Sequence, residues 1–80
     1  MVKQPVDGAE AKIIRAARKV FQRDGMAGAR MQDIADEAGM NKALLHYYFR
    51  TKDQLFNAVF EMIAKKTLKK FASNIHFNYF

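Results

Sequence analysis

The reading turns on Asp33–Lys52, DIADEAGMNKALLHYYFRTK. Ile34, Ala35 and Ala38 share one face of a helical segment, and Leu45, Tyr48 and Phe49 share one face of another. Between the two lies AGMN. Gly39 is free to take the left-handed conformation that ends a helix, and Asn41 is a good N-cap for the next one. Two short helices joined through a glycine-containing turn form a helix-turn-helix, whose second helix is the one that enters a DNA major groove. These helices are expected over about Met31 to Ala38 and Lys42 to Phe49.

Upstream, Ile13, Ala17, Val20 and Phe21 follow i, i+4, i+7, i+8 spacing and predict an amphipathic helix from Ala9 to about Arg23. Its other face carries Lys12, Arg15, Arg18, Lys19 and Arg23. Asp24-Gly25 is expected to stop it, and Gly28 to keep the next link loose. Residues 1–8 read as a disordered arm, with Pro5 and Gly8 opposing helix and Asp7 available as a cap.

Downstream, Thr51 caps a fourth helix that starts KDQLF. Leu55, Val59, Met62 and Ile63 form the face suited to close a core with the first three helices. Phe56 and Phe60 lie to one side of that face. Further on, Ala64, Leu68 and Phe71 have rotated around the helix, and Lys66 and Lys70 occupy the former core side. A helix whose apolar stripe moves in this way leaves one core and enters another. The domain is therefore expected to span residues 9–71. The segment 72–80, with Ile75, Phe77, Tyr79 and Phe80, reads as a tail leading toward an effector and dimerisation domain that these residues do not contain. The competing reading folds those aromatics back onto Phe56 and Phe60.

At 80 residues the chain is one small domain. It has no cysteine, which excludes disulfides and thiolate metal sites and suits a reducing cytoplasm. The N-terminus MVKQPVDGAE lacks a signal-peptide core, and no apolar run is long enough to span a bilayer. A net charge of +6 points to a polyanionic partner, nucleic acid ahead of lipid. Catalysis is the weakest reading. There are two histidines, His46 and His76, and no glycine-rich phosphate loop. Asp33, Asp36 and Glu37 sit where acidic groups favour a helix dipole. No cofactor or metal is expected. The rival is a basic amphipathic module, in which Lys65, Lys66, Lys69 and Lys70 meet an anionic membrane or the aromatic residues meet a protein.

Turning Leu45, Tyr48 and Phe49 inward leaves Ala43, His46 and Tyr47 facing out, with Lys42 on the first turn and Leu44 at the margin. Ala43 permits close approach to a groove. His46 and Tyr47 each combine an apolar ring for sugar and thymine methyl with a polar tip for phosphate. Asn41 caps the helix and leaves first-turn N–H groups for a phosphate. Lys42 is the best candidate for a base contact to guanine, with neutralisation of a phosphate as the equal alternative for a lone lysine. Arg30 and Gln32 approach from the other side, Arg30 toward a phosphate and Gln32 toward a base edge. Lys52, on the first turn of helix four, is placed beside the same groove for backbone contact, although its position at a helix start equally suits a freely solvated lysine.

A helix ending FxxxG, followed by DIAxxAGM, NKALLHYYF and TKDQLF, resembles the N-terminal domain of the tetracycline-repressor (TetR) family over about Ala9 to Phe71. The resemblance implies a three-helix, homeodomain-like all-α head with a linking fourth helix. In the family this head reads a palindromic DNA operator, usually as a homodimeric cytoplasmic repressor. It also implies that the third helix reads bases and that Lys52 holds a phosphate. The chain departs from the family pattern at three places. Ala29 and Arg30 replace the hydroxyl residue before helix two, Leu44 replaces a Thr or Ser, and His46 replaces a Tyr. A small-molecule effector is implied only where an effector domain is present elsewhere, so ligand sensing and the standard dimer do not carry over to these residues.

Overall fold

The computed structural model describes residues 8–79, with side chains through position 71. Gly8 aside, the expected N-terminal arm lies outside the described residues, as do the terminal aromatic side chains. Four helices follow in order: α1 Ala9–Gly28, α2 Met31–Ala38, α3 Lys42–Tyr48 and α4 Lys52–Tyr79. The fold is all-α, a helix-turn-helix head with a linking helix.

α1 buries Ile13, Ala16, Ala17, Val20 and Phe21, the i, i+3, i+4, i+7, i+8 stripe of an amphipathic helix. Its N-cap is Gly8, not Asp7, and no side chain caps it. The first run stops at Asp24-Gly25 as expected, with Gly25 at φ 75°, ψ 168°, outside the helical region, and a separate helical turn then follows to Gly28. The Ala29 N–H closes that turn by donating to the Gly25 carbonyl at 3.0 Å. Gly28 is therefore helical and not part of a loose link, because the extra turn delivers Ala29 and Met26 to the core. Just before the kink, Arg23 donates to both carboxylate oxygens of Asp24, at 3.1 and 3.0 Å. These bonds hold the Asp24 carboxyl below its ordinary range. The pair's small contribution is present above that range and is lost as pH falls through the lowered value.

α2 ends in a Schellman motif. Gly39, at φ 72°, ψ 34°, donates to the Asp36 carbonyl at 3.1 Å, and Met40 donates to that of Ala35 at 3.0 Å. Neither Gly25 nor Gly39 has an atom within 4 Å of where a Cβ would stand, so backbone strain alone decides the cost of substitution. Gly39 occupies the left-handed region, where Ala costs about 1–2 kcal/mol. Gly25 occupies a region essentially closed to other residues, where the cost is about 1–3 kcal/mol. Urea denaturation should therefore show a larger loss for Gly25→Ala than for Gly39→Ala; the reverse order would contradict this assignment.

α3 and α4 start on side-chain caps. Asn41 Oδ1 accepts from the Leu44 N–H at 2.8 Å. Thr51 Oγ1 accepts from the Gln54 N–H at 3.1 Å, while Gln54 Oε1 reaches back to the Arg50 N–H at 2.9 Å. This is a capping-box exchange shifted by one residue.

The core gathers the α1 stripe with Ala29, Ile34, Ala35, Leu45, Phe49, Leu55 and Val59. α4 adds to it only through its first half. Phe56 leans edge-on against Phe21, with centroids 5.3 Å apart, but Phe60, Leu68 and Phe71 are exposed. The rotation of the stripe is thus realised, and the α4 backbone stays helical through to Tyr79. One expectation fails: Tyr48 does not turn inward and remains 40% exposed. α3 has only seven residues, and Leu45 with Phe49 just beyond its end closes the core side. Tyr48 is left at the margin, where its hydroxyl stays wet.

Candidate nucleic-acid interface

α3 is held from beneath by one fully buried side chain, Leu45, and from its ends by the Gly39 turn and Phe49. Everything else on it is available. Asn41, Lys42, Ala43, Leu44 and Tyr47 are exposed, and His46 is half-buried. Ala43, His46, Tyr47 and Arg50 line one shallow, open depression. Leu44 is 41% exposed, enough for an apolar contact outward while its N–H is satisfied by Asn41. The N–H groups of Lys42 and Ala43, on the first turn, have no intrahelical acceptor.

Tyr47 is the most exposed large side chain of the helix, at 79%. Its ring meets that of Tyr48 edge-on, with centroids 5.1 Å apart and planes at 89°. The unexpected exposure of Tyr48 therefore has a consequence: its ring restricts where the Tyr47 ring can lie. Aromatic pairs of this geometry contribute about 0.5–1.5 kcal/mol beyond burial.

The flanking residues behave differently from one another. Arg30 is exposed and is the N-cap of α2, but its side chain makes no cap bond. Gln32 is exposed and already engaged, its amide donating to Asp36 Oδ1 at 2.9 Å, so reading a base edge requires giving up that bond. Lys52 is not the freely solvated lysine its position at a helix start suggested. It is part-buried, and its Nζ donates to the Ala29 carbonyl at 2.9 Å. That bond joins the start of α4 to the two-residue link between α1 and α2. An ammonium has three donors, so two remain for a phosphate.

Arg50 was missed by the sequence reading. It follows α3 and precedes the α4 cap, a connector position that no helical periodicity marks. The only signal is a basic residue directly after the reading helix.

A short helix set by a left-handed glycine, anchored by one buried leucine and open along its outer face, is the reading helix of a helix-turn-helix. The chain is a sequence-specific DNA-binding module of a transcriptional regulator. The model for "Bacterial regulatory proteins, tetR family" matches residues 13–59, more than half of the chain. The chain belongs to the TetR family. It is 38% identical over 60 residues to the HTH-type transcriptional repressor NicS of Pseudomonas putida, covering 75% of this chain and 28% of that protein. It is 41% identical over 61 residues to the HTH-type transcriptional repressor SCO4008 of Streptomyces coelicolor, covering 76% and 32%. The HTH-type transcriptional regulator RutR of Escherichia coli is 38% identical over 58 residues, covering 72% and 27%. The matched part of the chain thus spans between 27% and 32% of the length of these curated relatives. The family is one of DNA-binding regulators, so the activity to be explained is recognition, not catalysis.

Proposed function

We propose that this domain docks α3 into the major groove of a palindromic operator and acts in repression. The observation that carries the reading is the depression shared by Ala43, His46, Tyr47 and Arg50, with Lys42 exposed at the start of a helix that buries only Leu45. Lys42 and Tyr47 read base edges and a thymine methyl, with Ala43 allowing close approach. Leu44 supplies a second apolar contact. The first turn of α3, His46, Arg30, Arg50 and Lys52 hold phosphates on either side, and Gln32 reaches a base edge by exchanging its bond to Asp36. The repressor sense is supported by the names of NicS and SCO4008.

A single head neutralising about four phosphates should show log affinity falling with log salt at a slope near −3.6. Alone it binds weakly, since two heads on two half-sites multiply their affinities. The exposed Phe60, Leu68 and Phe71 face of α4 supports the reading that this helix leads into a further helical layer where pairing occurs. Selection from a random duplex pool, with this chain alone and fused to a dimerising helix pair, tests the whole reading. An enriched palindrome in the fused form is expected; a pool that stays random in both forms would refute operator recognition.

Lys52 makes a distinct forecast because it has two jobs. Lys52→Ala should weaken specific and nonspecific DNA binding alike and reduce the salt slope by about one. It should also lower stability by about 1–3 kcal/mol, because the buried Ala29 loses its carbonyl's charged donor. Loss of operator affinity with random-duplex affinity unchanged would contradict the phosphate role.

None of the described helices is long and apolar enough to cross a membrane. Vesicles of phosphatidylglycerol competing with duplex DNA at matched salt separate the remaining surface-binding reading from DNA recognition. A cytoplasmic location follows from operator binding and stands with it.

A further inference from the structure

α2 buries Ile34 and Ala35 and leaves Gln32 and Asp36 exposed, one helical turn apart. The Gln32 amide nitrogen donates to Asp36 Oδ1 at 2.9 Å. Asp36 has no part in the core, and its contribution to the turn is a backbone carbonyl that accepts from Gly39. A Gln–Asp bond one turn apart on a helix is weak, worth about twofold in an equilibrium constant. Stability is therefore a minor consequence of this pair. Its larger consequence lies in what Gln32 can do against DNA.

A glutamine amide carries both a donor nitrogen and an acceptor oxygen. In the major groove adenine answers both at once, through N7 and its N6 amine. Guanine and thymine offer acceptors alone, and cytosine a donor alone. An amide brought against one of those edges leaves a group unpaired in a partly dried contact, which weakens binding. Asp36 supplies the alternative. Against a base that does not match, Gln32 stays on the carboxylate and no unpaired amide enters the groove. Against adenine it must first leave the carboxylate, so the matched sequence gives up about twofold of its advantage and the others give up nothing. We propose that Asp36 is a specificity-determining residue that acts through Gln32, making the domain tolerant of exchange at the base pair Gln32 faces. The inference rests on the base-edge role given to Gln32 above. One head then accepts operators that differ at that position.

The test starts from the operator selected by this chain and its fused form, repeated with Gln32→Ala, which should flatten preference at one base pair. Affinities are then measured on four duplexes that differ only at that pair. Asp36→Ala should widen the gap between the adenine duplex and the mean of the other three by about twofold. Asp36→Asn keeps an acceptor for the amide and removes the charge. Its gap should stay close to that of the unaltered domain, while all four duplexes bind more tightly, most of all at low salt. In the Gln32→Ala background, Asp36→Ala should leave the gap unchanged. Asp36 is exposed and lends only its carbonyl to the Gly39 turn, so both variants keep the fold. An unchanged or narrower gap in Asp36→Ala overturns the proposal. So does equal widening by Asp36→Asn, which assigns the effect to charge, or widening that persists without Gln32. A selected operator in which Gln32→Ala flattens no position also overturns it and leaves operator recognition standing. A pool that stays random refutes operator recognition itself and this proposal with it.

Discussion

Leu45→Ala is expected to cost about 2–5 kcal/mol, the range for emptying a fully buried leucine site. A domain of this length has on the order of 4–12 kcal/mol in total, so a large share of the fold's stability rests on this one side chain. The reason is geometric. Leu45 is the only buried residue within α3, while the remaining core comes from α1, α2, the start of α4 and the short connectors. α3 is a two-turn helix, too short to persist without tertiary support. Losing Leu45 should therefore free α3 before the rest of the domain melts. The urea midpoint should fall sharply, and operator affinity should drop at temperatures where most far-UV helical signal remains. Leu45→Met, which nearly conserves volume, should cost less than about 1.5 kcal/mol and retain binding. A loss below 1 kcal/mol for Leu45→Ala, on the order of a surface change, would remove this residue as the anchor of α3.

The second large effect concerns recognition. Lys42→Ala and Tyr47→Ala should each cost about 1–3 kcal/mol against the selected operator, the worth of a good base contact. On random duplex the loss should be small for Tyr47→Ala and limited to one charge for Lys42→Ala. Both side chains are exposed, so Lys42→Ala should leave the urea midpoint in place, and Tyr47→Ala should lower stability by no more than the lost ring pair, about 0.5–1.5 kcal/mol. Tyr48→Ala adds a sharper check. If its ring holds that of Tyr47 in place, this variant should reproduce part of the Tyr47→Ala loss, about 0.5–1.5 kcal/mol, without touching DNA itself. Equal losses on operator and random duplex for Lys42→Ala, Tyr47→Ala and Lys52→Ala would refute the division into base-reading and phosphate-holding residues.

Much of this was legible in the residues because it is encoded over short range. The turn at Gly39, the Asn41 and Thr51 caps and the α1 stripe each depend on contacts within about one or two helical turns. Those contacts repeat in any helix-turn-helix of this composition, so the position of α3 and its outward Lys42, Ala43 and Tyr47 followed directly. What went astray was decided by packing between distant segments. Gly28 reads as a loose linker until Ala29 is seen to be buried, since only the core explains another helical turn after Gly25. Tyr48 reads as a core residue by periodicity, and it is Phe49, just past the helix end, that fills the core instead.

The sequence by itself determined the four helical stripes, the turn at Gly39 and the outward placement of Lys42, Ala43 and Tyr47, because backbone conformation and capping are local. Only the tertiary structure decided that Lys52 binds a carbonyl 23 positions away and that Arg50 joins the α3 depression. Those features depend on how rigid helices settle against one another, a balance of volume and burial over the whole core that no single stretch of chain contains.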